Sequence, residues 1–182
     1  MDNRWDQKYR SGYGAGGGVE PLLAGAVANL RPGRALDLAC GLGRNALYLA
    51  ERGWHVTALD YSIVAIETLR NSSIDARVVD LEDPAFQLPD SQYDLILDIL
   101  YLRRSLFPQI RTALKPGGIF VAMIALFDND APMNADYLCA PDELRMVFAD
   151  WTIHHYREGK NHRRNVAEIV AERPGTNTEY QT

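Results

Sequence analysis

The sequence predicts an α/β fold built on a doubly wound, mostly parallel sheet of seven strands, with the last strand antiparallel. From Ala35 onward, short apolar runs alternate with segments of helical periodicity. These runs are apolar at successive positions, as is typical of parallel strands that helices cover on both faces. Glycine, proline and serine residues occur where these helices should begin or end.

The predicted elements follow one another in a regular order. Helices are predicted at 21–30, 44–52, 62–71, 104–114 and 141–148. Strands are predicted at 35–39, 54–60, 75–80, 93–100 and from 118 onward. Two further runs, 151–157 and 165–172, are long enough for a closing antiparallel pair.

Cap residues support these boundaries. Gly53 follows the helix 44–52 where a left-handed cap is needed, and Ser62 begins the next helix where an N-cap is needed. Pro116, Gly117 and Gly118 stop the helix 104–114 before a strand.

Size and charge limit the possible functions. The 182 residues suit one domain, 1–182, large enough to bury a core without disulfides or metals. A net charge of −5 disfavours nucleic acid and anionic membranes as partners. The longest apolar run, 119–127, is about half as long as a transmembrane helix. Because there are two isolated cysteines, Cys40 and Cys139, and a polar start without a signal peptide, we expect a cytoplasmic protein.

A glycine-rich segment, about 1–18, precedes the helix 21–30. It is interpreted either as a flexible hinge or as a lid that becomes ordered over a bound ligand. Its composition fits both interpretations.

Aspartates at predicted strand ends bear on the choice of cofactor. Asp37, Asp60, Asp80 and Asp98 lie in or at the carboxyl ends of strands, which share one ligand-binding edge in a parallel sheet. Four carboxylates oppose the negative charges of a dinucleotide pyrophosphate, although Asp60 suits a ribose. S-adenosylmethionine (SAM) carries a sulfonium and an ammonium group and no phosphate, so this edge suits SAM better.

The stretch DLACGLGR, 37–44, has two interpretations. As GxGxxA, with Gly41, Gly43 and Ala46, it is a permitted form of the dinucleotide fingerprint. As an acidic residue before a glycine-rich turn, it is the pattern of SAM-binding methyltransferases. About 55 residues follow Phe127, which is short for the substrate region of a dehydrogenase and favours SAM over NAD.

Residues 35–126 resemble the class I SAM-dependent methyltransferases. The segment ALDLACGLGRNALYLAERGWHVTALDYS is similar to the tellurite-resistance methyltransferase group and its small bacterial relatives. WDQKY near the start resembles the tryptophan and tyrosine ahead of the core in that group and in thiopurine methyltransferases. KPGG before the fifth strand also recurs in class I enzymes.

The resemblance implies roles for particular residues. Asp37 would orient the glycine turn and the methionine ammonium group, Asp60 would bind both ribose hydroxyls, and Asp80 would accept from the adenine amino group. The full set of implied cofactor-binding residues is Trp5, Tyr9, Asp37, Ala39, Gly41, Gly43, Arg44, Asp60, Tyr61, Asp80, Leu81 and Ile99.

The chain departs from the commonest class I pattern at two positions. Ala39 replaces the first glycine of the turn, and we expect it to be tolerated with a negative φ. Arg44 replaces the third glycine, and it is interpreted as anchoring either the helix start or the methionine carboxylate. The Asn/Asp-Pro-Pro-Tyr motif of enzymes that methylate exocyclic amines of nucleic acids is absent, since Asp98-Ile99-Leu100-Tyr101 does not match it.

Candidates for substrate binding are basic or aromatic. Tyr101, Arg103 and Arg104 follow the fourth predicted strand, and His162 and Arg163 belong to the basic run HHYREGKNHRR, 154–164. This run is interpreted either as an anion-binding site or as a solvated turn. A metal site is disfavoured because adjacent histidines at 154 and 155 should point to opposite faces of a strand.

These observations lead to one hypothesis and two alternatives. The hypothesis is a SAM-dependent methyltransferase for a small, anionic or soft nucleophile containing S, Se, Te or As. No catalytic residue is assigned, because a soft nucleophile needs no general base. The alternatives are an NAD-linked oxidoreductase and a non-catalytic SAM-binding protein.

Overall fold

A computed structural model describes residues 4–127, 135–161 and 164–175 of the chain. Its centre is a seven-stranded sheet with the order β3-β2-β1-β4-β5-β7-β6. The strands are β1 Arg34–Leu38, β2 His55–Asp60, β3 Asp75–Val78, β4 Tyr93–Ile99, β5 Leu114–Ala125, β6 Thr152–Asn161 and β7 Arg164–Glu172.

Five strands of the sheet are parallel, and the last strand of the chain is inserted antiparallel to its neighbours. Strands β1 to β5 pair in parallel. Strand β7 lies between β5 and β6 and is antiparallel to both. The sheet grows in both directions from β1, so a ligand-binding crevice is expected beyond the carboxyl ends of β1 and β4. The predicted fold class is confirmed.

Helices cover both faces of the sheet. They are α1 Arg4–Arg10, α2 Pro21–Val27, α3 Arg44–Ala50, α4 Ile63–Glu67, α5 Leu106–Ala113 and α6 Glu143–Val147, with a 3₁₀ helix at Ala135–Tyr137. On one face α5 and α6 bury side chains such as Phe107 and Leu144 against the sheet. On the other face α2 and α3 bury Leu23 and Leu49. Two separate apolar cores hold the strand ends in place.

The caps predicted at Gly53 and Ser62 are confirmed, whereas Pro116, Gly117 and Gly118 lie inside β5, because the preceding helix already ends at Ala113. Gly53 has a φ of +85°, which glycine adopts readily. The Ser62 hydroxyl accepts a hydrogen bond of 3.2 Å from the Ala65 N–H at the start of α4. Some elements are shorter than predicted. For example, α4 ends at Glu67 rather than near residue 71. Helix α1 was not predicted.

Among the described residues, no helix is both long and apolar enough to cross a membrane.

Candidate functional site

Three buried aspartates lie at the carboxyl edge of the sheet. In the strand register, Asp37 of β1 is level with Leu97 of β4, and Asp98 follows one residue later. Asp60 is the last residue of β2. All three are at most 5% exposed. Asp80 lies two residues beyond the end of β3 and is exposed, so the predicted edge consists of three buried acids and one surface acid.

Asp60 joins the glycine turn to helix α4. One carboxylate oxygen accepts a 2.8 Å hydrogen bond from the Gly41 N–H, and the other accepts a 2.8 Å bond from the Ser62 N–H. Burial is the main cause that raises the pKa of Asp60, and these N–H donors act in the opposite direction. Two carboxylate oxygens offer about four acceptor positions, so the carboxylate can still accept from a hydroxyl of a ligand.

The glycine turn after β1 needs left-handed backbone at three positions. Gly41 and Gly43 have φ values of +56° and +80°. The expectation that Ala39 keeps a negative φ was wrong, because its φ is +52°. The backbone reverses sharply here, and a side chain in this conformation costs about 1–2 kcal/mol. Leu100, just after β4, is also left-handed, with a φ of +61°. Both strained residues border the crevice, as is common at functional sites.

Asp37 lies under this turn with one oxygen unsatisfied. Its Oδ2 atom is buried without a hydrogen-bond partner among the described residues. Burial, followed by the nearby Asp60 charge, raises the pKa of Asp37 to about 7, while the Ala46 N–H and Arg44 lower it. A cation placed here would stabilise the ionised carboxylate.

Asp98 and Tyr101 form a second group of unsatisfied atoms. Both carboxylate oxygens of Asp98 and the Tyr101 hydroxyl are buried without hydrogen-bond partners in the described part of the chain. Burial and then the Asp37 charge raise the pKa of Asp98 well above its usual value, whereas the Tyr101 N–H lowers it. Such atoms are rare in folded proteins, so they are candidates for ligand contacts.

Arg44 contacts the segment that precedes α2. Its guanidinium lies 3.6 Å from a carboxylate oxygen of Glu20, which is buried. The neighbouring Asn45 side chain accepts a 3.0 Å hydrogen bond from the Glu20 N–H. These contacts favour the interpretation that Arg44 anchors the start of α3.

Helix α1 packs over the glycine turn. Asp6 is 1% exposed and accepts a hydrogen bond from the Ser62 hydroxyl, which ties α1 to the start of α4. The Tyr9 hydroxyl lies 3.1 Å from the point where a Cβ on Gly41 would be. The rings of Trp5 and Tyr9 stack with their centroids 5.9 Å apart. The two aromatic residues therefore lie beside the predicted cofactor site, and Asp6, which sequence reasoning missed, holds them there.

The other predicted cofactor residues flank the same edge. Tyr61 follows Asp60 and is 49% exposed, whereas Leu81 is buried. The Asp80 carboxylate accepts a 2.9 Å hydrogen bond from the Glu82 N–H. Ile99 ends β4 and is half-buried.

Two of the three predicted substrate arginines, Arg103 and Arg104, make internal contacts. Arg104 forms two hydrogen bonds with Glu143, at 2.6 and 2.8 Å, and it also donates to the backbone carbonyls of Asp136 and Leu138. Arg103 donates to the Ser105 hydroxyl and to a backbone carbonyl after β3. Both arginines line a cavity of about 260 Å³, but Arg104 mainly holds the segment after β5 in place.

The basic run 154–164 is partly neutralised. His162 and Arg163 lie outside the described residues. Glu168 is buried and accepts a 2.7 Å hydrogen bond from Arg157. His155 lies 3.3 Å from Glu168, and His154 lies 2.8 Å from Glu172.

The expectation that the two adjacent histidines point to opposite faces was wrong. The register of β6 against β7 shifts between Ile153 and His155. This bulge lets both rings reach glutamates that lie four residues apart on β7, and therefore on one face.

The seven-stranded sheet, in which β7 lies antiparallel between β5 and β6, has the fold of the methyltransferase structures that it matches. The family model of the tellurite resistance protein TehB matches residues 6–168. The chain therefore belongs to the TehB family.

A curated relative and two solved structures support this assignment. The probable SAM-dependent methyltransferase TehB of Haemophilus influenzae is 30% identical over 148 residues, which cover 73% of this chain and 51% of that protein. The chain spans about half the length of the curated relatives it matches. The crystal structure of TehB from Haemophilus influenzae matches with a TM-score of 0.76 and 24% identity, over 93% of this chain and 67% of that one.

The second structure contains a ligand related to SAM. It is the 1,6-didemethyltoxoflavin-N1-methyltransferase of Burkholderia thailandensis with bound 1,6-didemethyltoxoflavin and S-adenosylhomocysteine. Its TM-score is 0.70 at 17% identity, over 93% of this chain and 84% of that one. At these identities, the structural matches show the fold.

Proposed function

We propose that this chain is a SAM-dependent methyltransferase that acts on a small molecule in the cytoplasm. The observation that carries the proposal is the group of buried carboxylates, Asp37, Asp60 and Asp98, at the carboxyl ends of neighbouring parallel strands. Their charge suits the sulfonium and ammonium groups of SAM and opposes a pyrophosphate. The family assignment supports the same choice over NAD.

The residues at the edge fit SAM. Asp37, with its unsatisfied oxygen, would accept from the methionine ammonium group, and Asp60 would accept from the ribose hydroxyls. Tyr61, Asp80 and Leu81 would surround the adenine. When bound, SAM supplies an activated methyl group, so the protein has to align a nucleophile with it and exclude water.

The acceptor predicted from the sequence was an anionic or soft nucleophile. Arg103 and Arg104, two of the candidates for binding it, both have protein partners. The anionic acceptor therefore rests on the basic run 154–164, and we keep it, with the soft acceptor, as a competing proposal.

Isothermal titration calorimetry tests the cofactor. We expect S-adenosylhomocysteine to bind and NAD not to bind, because the former brings an ammonium group to the acidic edge and carries no pyrophosphate. Binding of NAD alone would overturn the proposal. Consumption of SAM in the presence of small thiols, amines and oxyanions would distinguish an enzyme from a protein that only binds SAM.

A further inference from the structure

Asp98 is a buried acid near the carboxyl end of β4, at the edge of the sheet where we propose that the cofactor binds. It is 1% exposed, and neither of its carboxylate oxygens has a partner at hydrogen-bond distance among the described residues, although the Tyr101 N–H is near enough to lower its pKa. The Tyr101 hydroxyl, three residues later, is in the same condition. Burying a polar group without a hydrogen bond is costly, so two such groups together point to a ligand that supplies donors.

This ligand is distinct from the group that Asp37 would bind. In the strand register Asp98 is paired with Leu38, whereas Asp37 is paired with Leu97. Paired residues of a sheet share a face, and Leu38 and Leu97 belong to the cores on opposite faces. The side chains of Asp37 and Asp98 therefore lie on opposite sides of the sheet. If the ammonium group of a ligand binds to Asp37, the Asp98 carboxyl on the other face still needs a hydrogen-bond donor.

The charge around Asp98 favours a cation. Asp98 and Glu82 are both among the charges that raise the pKa of Tyr101, after burial, while Arg103 lowers it. Tyr137 donates a 2.9 Å hydrogen bond to Glu82, so two tyrosine rings and two acids belong to one neighbourhood. Arg103 contributes one positive charge to this neighbourhood, whereas Asp98 and Glu82 can contribute two negative charges. The Asp37 carboxylate adds a third negative charge near Asp98. Carboxylates with aromatic rings are a common setting for an ammonium group.

We propose that the methyl acceptor is a small amine whose nitrogen donates hydrogen bonds to the Asp98 carboxylate and the Tyr101 hydroxyl. This inference rests on the proposed methyltransferase function and specifies its substrate class. Asp98 acts as the general base. The amine arrives as an ammonium ion, and one of its protons passes to the carboxylate.

Bonds and charges balance in the transfer. The freed lone pair of the amine forms a bond to the methyl carbon, and the carbon–sulfur bond breaks with its electron pair remaining on sulfur. The products are a methylated ammonium ion and S-adenosylhomocysteine. The carboxyl proton of Asp98 then leaves to solvent. The raised pKa of Asp98 suits a base that must take up a proton near neutral pH.

The first experiment measures thermal unfolding of the full chain saturated with S-adenosylhomocysteine. The probes are methylammonium chloride, butylammonium chloride and sodium selenite. We expect the two ammonium ions, but not selenite, to raise the melting temperature. For Asp98→Asn, at least about tenfold more ammonium ion should be needed for the same rise in melting temperature, since the substitution removes the charge and keeps the shape of the side chain.

A matched control comes from the same strand. Asp94→Asn, at the opposite end of β4, removes an acid that bonds to Lys115 at 2.8 Å. We expect the ammonium response to survive this change. Tyr101→Phe removes only the hydroxyl, and we expect a smaller loss than for Asp98→Asn.

The second experiment distinguishes a ligand-binding role for Asp98 from a structural role. Without ligand, Asp98→Asn should raise the melting temperature, because asparagine cannot ionise and the burial of a carboxylate charge destabilises the folded protein. A lower melting temperature would show that Asp98 supports the fold, and it would overturn the inference.

The remaining outcomes separate the two proposals. If S-adenosylhomocysteine binds and selenite stabilises the complex, or neither ammonium ion does, the amine inference fails and the methyltransferase proposal survives. If S-adenosylhomocysteine does not bind, the proposed function fails, and the inference fails with it.

Discussion

Replacing Asp37 with asparagine should stabilise the unliganded protein, and the gain should grow with pH. Burial raises the pKa of Asp37 from 3.8 to about 7. The folded protein therefore holds a proton that the unfolded chain has released between those pH values, and stability falls as pH rises through this interval. Asp37→Asn removes this loss, because asparagine has a similar shape and no charge.

The size of the effect follows from the two pKa values. Integration of the linkage relation gives a loss of stability, relative to strongly acidic pH, of about 2 kcal/mol at pH 5 and about 4 kcal/mol at pH 8. The stabilisation by Asp37→Asn should therefore be about 2–3 kcal/mol larger at pH 8 than at pH 5. For a chain of this length, that corresponds to roughly 4–12 °C in melting temperature.

Urea unfolding at several pH values, followed by circular dichroism, measures this difference. Asp94→Asn is the control, because we expect it to change the free energy of unfolding in the opposite direction. Asp94 bonds to Lys115 and to the Arg34 N–H, and its pKa is lowered. Its substitution should destabilise the protein near neutral pH. The reasoning is refuted if Asp37→Asn destabilises the protein at pH 8, or if its effect is the same at pH 5 and pH 8.

Three further substitutions test the turn and its acid. Asp60→Ala should weaken S-adenosylhomocysteine binding by about 1–3 kcal/mol in calorimetry, through loss of charged hydrogen bonds; unchanged affinity would contradict the ribose role. Ala39→Gly should raise the free energy of unfolding by about 1 kcal/mol, because its φ is +52°; a lower value in urea unfolding would argue against a strained turn. Gly43→Ala should destabilise the protein by more than about 1 kcal/mol, since its φ is +80° and a Cβ would lie 2.7 Å from Leu69 Cδ1; a melting temperature equal to that of the natural chain would rule this out.

The order of strands and helices could be predicted because their signals are local. Apolar periodicity and the caps at Gly53 and Ser62 lie within a few residues of the elements they define. Helix α1 could not be predicted in this way, because RWDQKYR has no aliphatic residue and only two aromatic residues, Trp5 and Tyr9, among charged and polar ones. It packs through the buried contact of Asp6 with Ser62, 56 residues further along the chain.

The same distinction applies to the site. The aspartates at the strand ends were predictable, because parallel strands bring their carboxyl ends to one edge. The partner of Arg104 was not, since Glu143 is 39 residues away and only the fold brings the two together. The bulge near His154 also depends on pairing between strands, and no turn residue in the sequence marks it. The left-handed Ala39 was open to prediction, because it occupies a position that is commonly glycine in the turn.

The unfavourable features of this protein are concentrated in one region, and this links its stability to its function. Asp37 and Asp98 are buried with unsatisfied oxygens, and Ala39 and Leu100 are in left-handed conformations nearby. The acids would act as acceptors already in place for cationic groups, so a ligand would gain their interaction without reorganisation of the protein. The strained backbone has a different role, because it sets the shape of the crevice. Asp37→Asn and Asp98→Asn should therefore stabilise the free protein and weaken ligand binding, whereas Ala39→Gly should stabilise it and leave binding intact, since glycine keeps the same turn.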